Sequence, residues 1–385
     1  MLSIKFTSKK KTRLLLVGGI VTKKVPSVFY KFIGRRLTKE KFVDKLGEFF
    51  EVNIFSYTDR ALYDLSPYKV YVIDFPKIVY RLLKETLRSD IIVCPGYGAV
   101  LEPLICYLSS RIRGSIFIIK DTHWYWRQTF LSKMFFHIYY KILTGADAII
   151  VPGKASFKYW KSYGLRNIFI VHYYWLESNM LGCREIPKQL LKLRNSYDIV
   201  VMYLGRLIEK RGLDILMKAF STIVKKYNVN IALIIAGTGP LSDRLRALAR
   251  DLKIEEKTIF LGPVSENTKE CLYRITDVFV YVPIITQLPE EWPIPPLEAM
   301  KVGVPTIISS ATGSAPDLLP GVIVVKWGSV EELVKALELI IFDKNLRNLI
   351  SKKAIEIAHK IDVDSVIVEL LSTIKEIAKN KRKYL

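Results

Sequence analysis

The sequence predicts an α/β protein made of two doubly wound domains. Short apolar runs alternate with longer amphipathic stretches along almost all of the 385 residues, and this pattern is typical of successive βαβ units around a parallel sheet. The alternation is interrupted by the polar and turn-forming residues 177–196 and then resumes. A chain of this length can form two ordinary domains, each with its own core.

The strands are predicted from runs that are rich in Ile, Val, Leu or Phe and that end at Gly, Pro or a polar residue. The first series lies at residues 12–19, 51–57, 90–96, 115–121, 147–153 and 167–172. The second series lies at residues 197–205, 230–237, 257–262, 277–283, 304–309 and 321–326. Three helices are expected after Val330.

These two series predict the domain boundaries. Residues 1–176 form the N-terminal domain, 177–196 the linker and 197–362 the C-terminal domain, and residues 363–385 form a helix that is expected to pack back toward the N-terminal domain. In open parallel sheets, ligands bind beyond the carboxyl ends of the strands. We therefore expect a ligand site in a cleft that the two domains face.

The charge is unevenly distributed along the chain. There are 59 Lys and Arg residues against 37 Asp and Glu, which gives a net charge of +22. Residues 1–200 hold 33 basic and 15 acidic side chains, whereas the remaining residues hold 26 and 22. The basic first half favours a polyanionic partner such as anionic lipid, a lipid phosphate or nucleic acid. Nucleic acid is not expected, because no known nucleic-acid-binding module is recognised.

Neither a spanning helix nor a signal peptide is predicted, since no apolar run approaches about 20 residues and no signal-like stretch precedes a small-residue cleavage site. Four cysteines are scattered without a CxxC pair, namely Cys94, Cys106, Cys183 and Cys271. We expect them to be buried thiols in a reducing cytosol and not disulfides or zinc ligands.

Three loops of the second domain carry candidate binding residues. Arg206 and Arg211, in "GRLIEKRG", would suit a diphosphate because each guanidinium can bond two oxygens and keeps its charge; the alternative is a solvated loop with an ion pair. The Gly-rich turn "GTGP" follows the next strand and would let the backbone approach a nucleotide closely. Glu290 and Glu298 flank the prolines of "EEWPIPPLEAM", and Glu298 is expected in the first turn of a helix.

The order of these pieces resembles the donor domain of the retaining family-four glycosyltransferases, which have the GT-B fold of two Rossmann-like domains that face a cleft. The pieces "GRLIEKRG", "GTGP", "FLG", "EEWPIPPLEAM" and "GVPTII" occur at similar spacing over about residues 198–326. Two positions depart from the family pattern. Arg211 stands where lysine is usual, and Pro293, which has no N–H to donate, stands where glycine is usual.

The resemblance implies roles for the matching positions. Arg206 and Arg211 would hold the donor diphosphate, Glu290 would contact the transferred sugar, and Glu298 would hold the ribose hydroxyls. His123, in "IFIIKDTHWYW", matches a family histidine that faces the sugar. The alternative is that His123 has a structural role in a packed corner of aromatic side chains. The residues to which the resemblance gives a catalytic role are thus His123, Glu290, Arg206 and Arg211. The other implied donor-binding residues are Gly18, Gly19, Gly205, Gly237, Gly239, Pro263, Trp292, Ile294 and Pro295.

No metal or other cofactor is expected besides the nucleotide-sugar substrate. The sequence "DVD" at Asp362–Asp364 could be a D-x-D metal motif, but it lies between two predicted helices, where Asp364 is expected to cap the second. A metal-free transferase would stabilise its leaving diphosphate with arginines and helix N-termini.

A membrane-contact stretch is predicted at residues 23–46, where basic and aromatic residues are mixed. A helix of this composition can lie at a membrane surface. Its predicted contact residues are Lys31, Arg35, Arg36 and Lys39. Residues 130–143 are a second candidate, for which an ordinary helix packed on the sheet is favoured.

Together these observations predict a cytoplasmic hexosyltransferase that is peripheral on the inner face of the cell membrane. It would move a hexose, with retention, from a nucleoside-diphosphate sugar to a lipid-linked or growing glycan acceptor. One alternative is a non-catalytic or soluble protein with a degenerate GT-B fold that binds polyanions or nucleotides. A soluble transferase that acts on a free sugar is the other.

Overall fold

The computed structural model describes residues 12–17, 45–56, 69–72, 78–96, 101–123, 130–172, 183, 185–286 and 290–383. The chain forms two compact units. Unit 1 comprises Met1–Trp175 with Val363–Leu385, and unit 2 comprises Leu176–Asp362.

Unit 1 is built on a parallel sheet of seven strands in the order β3-β2-β1-β4-β5-β6-β7. Its central strands are buried along their length, because a parallel sheet is covered by helices on both faces. The strands are β1 (Arg13–Val17), β2 (Glu51–Ser56), β3 (Lys69–Val72), β4 (Ile91–Pro95), β5 (Ile116–Lys120), β6 (Ala148–Val151) and β7 (Ile168–Ile170).

Four helices connect β3 to β7 in order. They are α1 (Ile78–Thr86), α2 (Leu101–Arg113), α3 (Phe130–Gly145) and α4 (Lys154–Ser162). In α3 the side chains of Tyr139, Ile142 and Leu143 are buried in the core. Residues 130–143 therefore lie in a helix that packs on the sheet, as expected, while Phe135 and Ile138 of the same helix stay exposed.

Unit 2 is built on a parallel sheet of six strands in the order β10-β9-β8-β11-β12-β13. The strands are β8 (Ile199–Leu204), β9 (Ile231–Ala236), β10 (Thr258–Gly262), β11 (Val278–Tyr281), β12 (Thr306–Ser309) and β13 (Val322–Val325). The order reverses at β8, and the crevice at such a reversal is where open α/β sheets bind ligands.

Unit 2 contains eight described α-helices. The first precedes the strand β8 in sequence, and the last two follow the strand β13. The helices are α5 (Lys188–Ser196), α6 (Leu213–Lys226), α7 (Ser242–Asp251), α8 (Glu266–Arg274), α9 (Ile294–Lys301), α10 (Ala315–Leu318), α11 (Val330–Phe342) and α12 (Lys344–Ala358). The last helix of the chain, α13 (Val363–Lys383), belongs to unit 1.

Two Rossmann-like domains are thus confirmed, and so are the predicted strands and the three helices after Val330. Two elements differ from the prediction. Strand β3 was not predicted, and α5 occupies residues that were assigned to the linker 177–196.

Helix α13 is held to unit 1 by polar contacts at its N-terminal half. The Nδ1 atom of His172 lies 2.9 Å from a carboxylate oxygen of Glu369, which also accepts the His172 backbone N–H at 2.8 Å. Asp364 forms an ion pair with Lys45. Because the helix begins at Val363, Asp364 lies in its first turn, and the expectation that it caps the helix is wrong.

The cysteine prediction is correct for one pair and wrong for the other. Cys94 and Cys106 are buried thiols. Cys183 and Cys271 instead form a disulfide inside unit 2, because the fold brings together two positions that are 88 residues apart. Of the helices in the described ranges, none combines the length and apolar character needed to cross a membrane.

Candidate active site

Glycines let the loops after β8 and β9 pack backbone against backbone. The Gly205 N–H donates to the carbonyl of Ala236 at 3.0 Å. A Cβ atom on Gly237 would lie 1.9 Å from the Gly205 carbonyl, and one on Gly239 would lie 2.3 Å from the carbonyl of Leu207. The glycines that were assigned to nucleotide approach are thus already required by contact between the two loops.

Two cations and one carboxylate meet beyond the carboxyl end of β8. Glu290 Oε2 lies 2.9 Å from Arg211 Nη1 and 3.1 Å from Lys210 Nζ. The Arg211 and Glu290 side chains are only 11% and 13% exposed, so water screens their attraction weakly. The cluster keeps an excess of one positive charge, which favours an anionic ligand.

A tyrosine fixes the Arg211 guanidinium in this cluster. Arg211 Nη1 donates to the Tyr281 hydroxyl, and the guanidinium carbon lies 5.2 Å from the centre of the Tyr281 ring, within the range of a cation–π contact. Tyr203 stacks on Tyr281 with ring centres 6.2 Å apart. An arginine at the family's lysine position therefore has its own aromatic support.

Burial and the neighbouring charges set the protonation of these groups. Burial raises the pKa of Tyr203, and burial and then the Glu290 charge raise the pKa of Tyr281 well above its ordinary value. Both phenols therefore stay protonated. Burial alone would lower the pKa of Arg211, but Tyr281 and Glu290 raise it, so the guanidinium keeps its charge.

The backbone of Glu290 is fixed by the loop after β12. Its N–H donates to the Ala311 carbonyl at 3.0 Å, and its own carbonyl accepts the Gly313 N–H at 2.8 Å, which makes a short parallel bridge to Thr312. The Gly turn that the sequence places after β12 thus positions the first acid of the pair.

Glu298, the second acid, is buried among groups of α8. Its Oε1 lies 2.6 Å from Lys269 Nζ, and its Oε2 accepts a hydrogen bond of 2.9 Å from the Tyr273 hydroxyl. Glu298 is only 2% exposed. The carboxylate is therefore neutralised and oriented by two side chains that sequence reasoning did not identify.

The prolines between the two acids start helix α9. Pro293 is the N-cap residue, with φ −74° and ψ 138°, and Pro295 and Pro296 follow in the first turn. Their missing N–H groups would have no helical acceptor there, and their fixed φ angles suit a helix start. Because the helix begins at Ile294, Glu298 lies beyond the first turn, and the expectation that it lies within it is wrong.

Three more of the predicted donor-binding residues are described, namely Arg206, Pro263 and Trp292. The first two follow the ends of strands, and the third precedes α9. Arg206 follows β8 and is exposed, with its carbonyl accepting the Tyr203 hydroxyl at 2.8 Å. Pro263 is exposed directly after β10, and Trp292 is buried just before α9.

In unit 1, His123 contacts a fully buried carboxylate. Asp121 accepts the His123 backbone N–H at 2.7 Å and Trp160 Nε1 at 2.8 Å, and it also accepts the Tyr139 hydroxyl. His123 Nδ1 lies 3.0 Å from Asp121 Oδ2, which favours the tautomer with a proton on Nδ1. A Cβ atom on Gly96 would collide with the Tyr139 hydroxyl, so glycine is required there. The sequence pointed to His123 but not to this network.

The remaining predicted residues lie outside the described part of the chain. They are Gly18, Gly19, Lys31, Arg35, Arg36 and Lys39. Within the described ranges, no group of three or more His, Cys, Asp or Glu side chains is arranged to hold a metal ion.

The two-domain architecture has structural relatives. The chain superposes on the crystal structure of Anabaena HepE in complex with UDP with a TM-score of 0.74 and 16% sequence identity. The superposition covers 95% of this chain and 100% of the HepE chain. At this identity the likeness defines the fold, which is the GT-B class.

The family follows from the sequence of unit 2. Residues 187–357 match the family described as glycosyl transferases group 1. Unit 2 therefore carries a group 1 glycosyltransferase domain, and the resemblance drawn from the motifs of residues 198–326 is confirmed for that domain.

Curated relatives match parts of the chain. An uncharacterised glycosyltransferase of Methanocaldococcus jannaschii is 35% identical over 114 residues, which cover 30% of this chain and 28% of that protein. The GDP-mannose-dependent alpha-(1-6)-phosphatidylinositol monomannoside mannosyltransferase of Mycobacterium tuberculosis is 30% identical over 173 residues, 42% of this chain and 44% of that protein. The matches thus span less than half the length of these relatives.

Proposed function

We propose that this glycosyltransferase moves a hexose from a nucleoside-diphosphate sugar to a lipid-linked or growing glycan acceptor, with retention and without a metal ion. The observation that carries the proposal is the cluster of Lys210, Arg211 and Glu290 beyond the carboxyl end of β8. It combines an excess cation for a diphosphate with a fixed carboxylate for sugar hydroxyls.

The donor diphosphate would bind to Arg206 and Arg211. Arg206 is exposed at the strand end, whereas Arg211 is held in place by Glu290 and Tyr281. A guanidinium that is already oriented needs little rearrangement when negative charge develops on the leaving phosphate, and such preorganised groups lower the barrier. Because guanidinium groups in general are charged at working pH, we propose that two arginines can serve this role without a metal ion.

The sugar and the ribose would be held by carboxylates at the two ends of the proline-rich segment. Glu290 would accept hydroxyl groups of the transferred hexose, and Glu298, oriented by Lys269 and Tyr273, would hold the ribose. His123 would contact the sugar through an imidazole that Asp121 orients. The acceptor hydroxyl would attack from the face of the leaving group, and the departing phosphate would take its proton.

The acceptor class is proposed from charge and from one relative. The first 200 residues carry 33 basic and 15 acidic side chains, which suits an anionic membrane surface. The Mycobacterium relative is named for a phosphatidylinositol-linked acceptor. We therefore propose that the protein acts in the cytoplasm as a peripheral protein on the inner face of the cell membrane.

A non-catalytic nucleotide-binding or polyanion-binding protein is the second candidate. The observation that favours it is Pro293, which occupies the N-cap of α9 at a position where the family usually has glycine. Such a protein would bind a nucleotide without transferring a sugar.

The test is binding and turnover with UDP-, GDP- and ADP-sugars. A donor of the correct class should raise the melting temperature, and incubation with an acceptor should release the nucleoside diphosphate; NMR of the product's anomeric proton reports retention. Arg211→Ala should weaken nucleotide binding by about 10- to 100-fold, since hydrogen bonds to charged groups contribute about 1.5–3 kcal/mol each. Arg244→Ala, which removes an exposed arginine of α7, is the matched control and should bind normally. Binding without release for every sugar and acceptor would favour the second candidate.

A further inference from the structure

We propose that the outer surfaces of helices α1, α2, α3 and α4, here called the docking face, bind an anionic lipid bilayer. The inference deepens the proposed function and rests on it, because an enzyme with a lipid-linked acceptor has to reach that acceptor at a membrane surface. The proposed membrane contact consists of described residues of unit 1 and is separate from the stretch 23–46.

The four helices lie side by side on one face of the unit 1 sheet. They connect β3, β4, β5, β6 and β7, and each connection advances toward the same edge of the sheet. Right-handed crossovers that advance in one direction place their helices on the same face. Helix α1 packs beside α2 and α2 beside α3, and Phe136 of α3 stacks on Trp160 of α4. The docking face is therefore continuous.

The docking face exposes several large apolar side chains. Tyr80 of α1 is 70% exposed, Leu108 and Ile112 of α2 are 51% and 76% exposed, and Phe135 and Ile138 of α3 are 46% and 44% exposed. One exposed apolar residue is ordinary, but a group on neighbouring helices marks an interaction surface. Aromatic and aliphatic groups of this kind enter the boundary between head groups and acyl chains.

The charge of the same helices is one-sided. Their sequences contain nine Lys and Arg residues and two acids, Glu85 and Glu102, and both acids are buried. Lys84, Lys141 and Lys158 are exposed on α1, α3 and α4. Cations and apolar groups without an exposed helical carboxylate are complementary to anionic head groups above an apolar interior.

Other occupants fit the docking face less well. A second copy of the same face would bring like charges together, which opposes association. Nucleic acid would match the cations but gives no reason for exposed Leu108 and Ile112. Asp90 accepts the Arg13 backbone N–H at 2.9 Å and pairs with Arg113 of α2 at 3.4 Å. It therefore neutralises one of the nine basic groups, and the helices keep a large excess of basic over acidic side chains.

The test compares the full chain with two charge-matched variants on phosphatidylcholine vesicles prepared with and without phosphatidylglycerol. The face variant is Lys84→Glu/Lys141→Glu/Lys158→Glu. The control is Lys225→Glu/Lys344→Glu/Lys352→Glu, which reverses three exposed lysines of unit 2. Partition to anionic vesicles should fall at least about 100-fold in the face variant, because each basic residue near an anionic surface is worth roughly fivefold. The control should change by less than about threefold.

A second variant, Leu108→Ser/Ile112→Ser, tests the apolar contribution. Its partition should fall relative to wild type even at high salt, where the ionic attraction is screened. Equal partition of the face variant and the control overturns the inference, as does binding that is independent of phosphatidylglycerol. Donor binding, followed by thermal shift in the same samples, separates the two proposals: if nucleotide-sugars fail to bind wild type while vesicle partition follows the docking face, the proposed function fails and the docking face stands.

Discussion

Replacing Glu298 with glutamine removes one charge of a buried ion pair. In the structure Glu298 Oε1 lies 2.6 Å from Lys269 Nζ, and the two side chains are 2% and 5% exposed. Removing one partner of a buried pair costs about 3–5 kcal/mol, because the other charge stays buried and unpaired. In a domain of 150–250 residues each kcal/mol shifts the melting temperature by about 2–4 °C. We therefore expect calorimetry to show a fall of about 6 °C or more for unit 2.

The double variant Glu298→Gln/Lys269→Met separates the structural role of Glu298 from its ribose role. Removing the ammonium relieves the unpaired charge, so part of the lost melting temperature should return. Affinity for the nucleotide-sugar, measured by titration calorimetry, should stay low, because the ribose would still lack its carboxylate. Recovery of wild-type affinity in the double variant would refute the ribose role. A single variant that melts like wild type would refute the reasoning from burial.

Four further results are expected. Glu290→Gln should lower turnover by about 10- to 100-fold, since the charged hydrogen bonds it loses contribute about 1.5–3 kcal/mol; full activity in a turnover assay would contradict its role. Sugar transfer should persist in excess EDTA, and a loss that Mg²⁺ or Mn²⁺ restores would show that the leaving diphosphate needs a metal. Asp121→Asn should change the ¹⁵N chemical shifts that report the His123 tautomer, and it should also lower turnover. The control Tyr139→Phe keeps the contact between Asp121 and His123 Nδ1, so it should leave the tautomer unchanged. Unchanged ¹⁵N shifts in Asp121→Asn would contradict the role of Asp121 in orienting His123. Changing the predicted membrane-contact residues to serine should weaken pelleting with anionic liposomes, beyond the contribution of the docking face, without loss of nucleotide binding. Pelleting like wild type would assign the membrane contact to the docking face and exclude the stretch 23–46; the residues are Lys31, Arg35, Arg36 and Lys39.

The strands could be predicted from sequence because most of them are buried on both faces. Continuous apolar runs such as Ile231–Ala236 are fully buried, as expected for parallel sheets. The exception, β3 (Lys69–Val72), is four residues long and, among the described strands, lies at the sheet edge and pairs with β2. An edge strand needs less apolar sequence, so its signal is weak.

Helix α5 could not be predicted for a related reason. Leu190 is its one buried side chain, so the helix has almost no apolar face to generate a period of 3.6 residues. The Cys183–Cys271 disulfide left no local signal either, because its two residues are 88 positions apart and meet only after β8, β9 and β10 have brought α8 into place.

The candidate site divides into parts that lie close together in sequence and parts that meet only through the fold. Arg211 was predictable because it follows the same strand as Gly205 and Arg206. Its contact with Glu290, and the part of Lys210 in that cluster, were not predictable, because they depend on the loop after β12, which fixes the Glu290 backbone through Ala311 and Gly313.

The same division explains the environment of Glu298. The motif that contains Glu298 could be recognised from sequence. Lys269 and Tyr273, however, belong to α8, which is separated from the helix of Glu298 by the strand β11. A carboxylate in a binding motif can serve its ligand only after its charge has been balanced in the folded protein. In this domain the balancing groups come from a helix without a recognised motif, and the double variant of Glu298 and Lys269 therefore tests a contact that sequence comparison alone would not have identified.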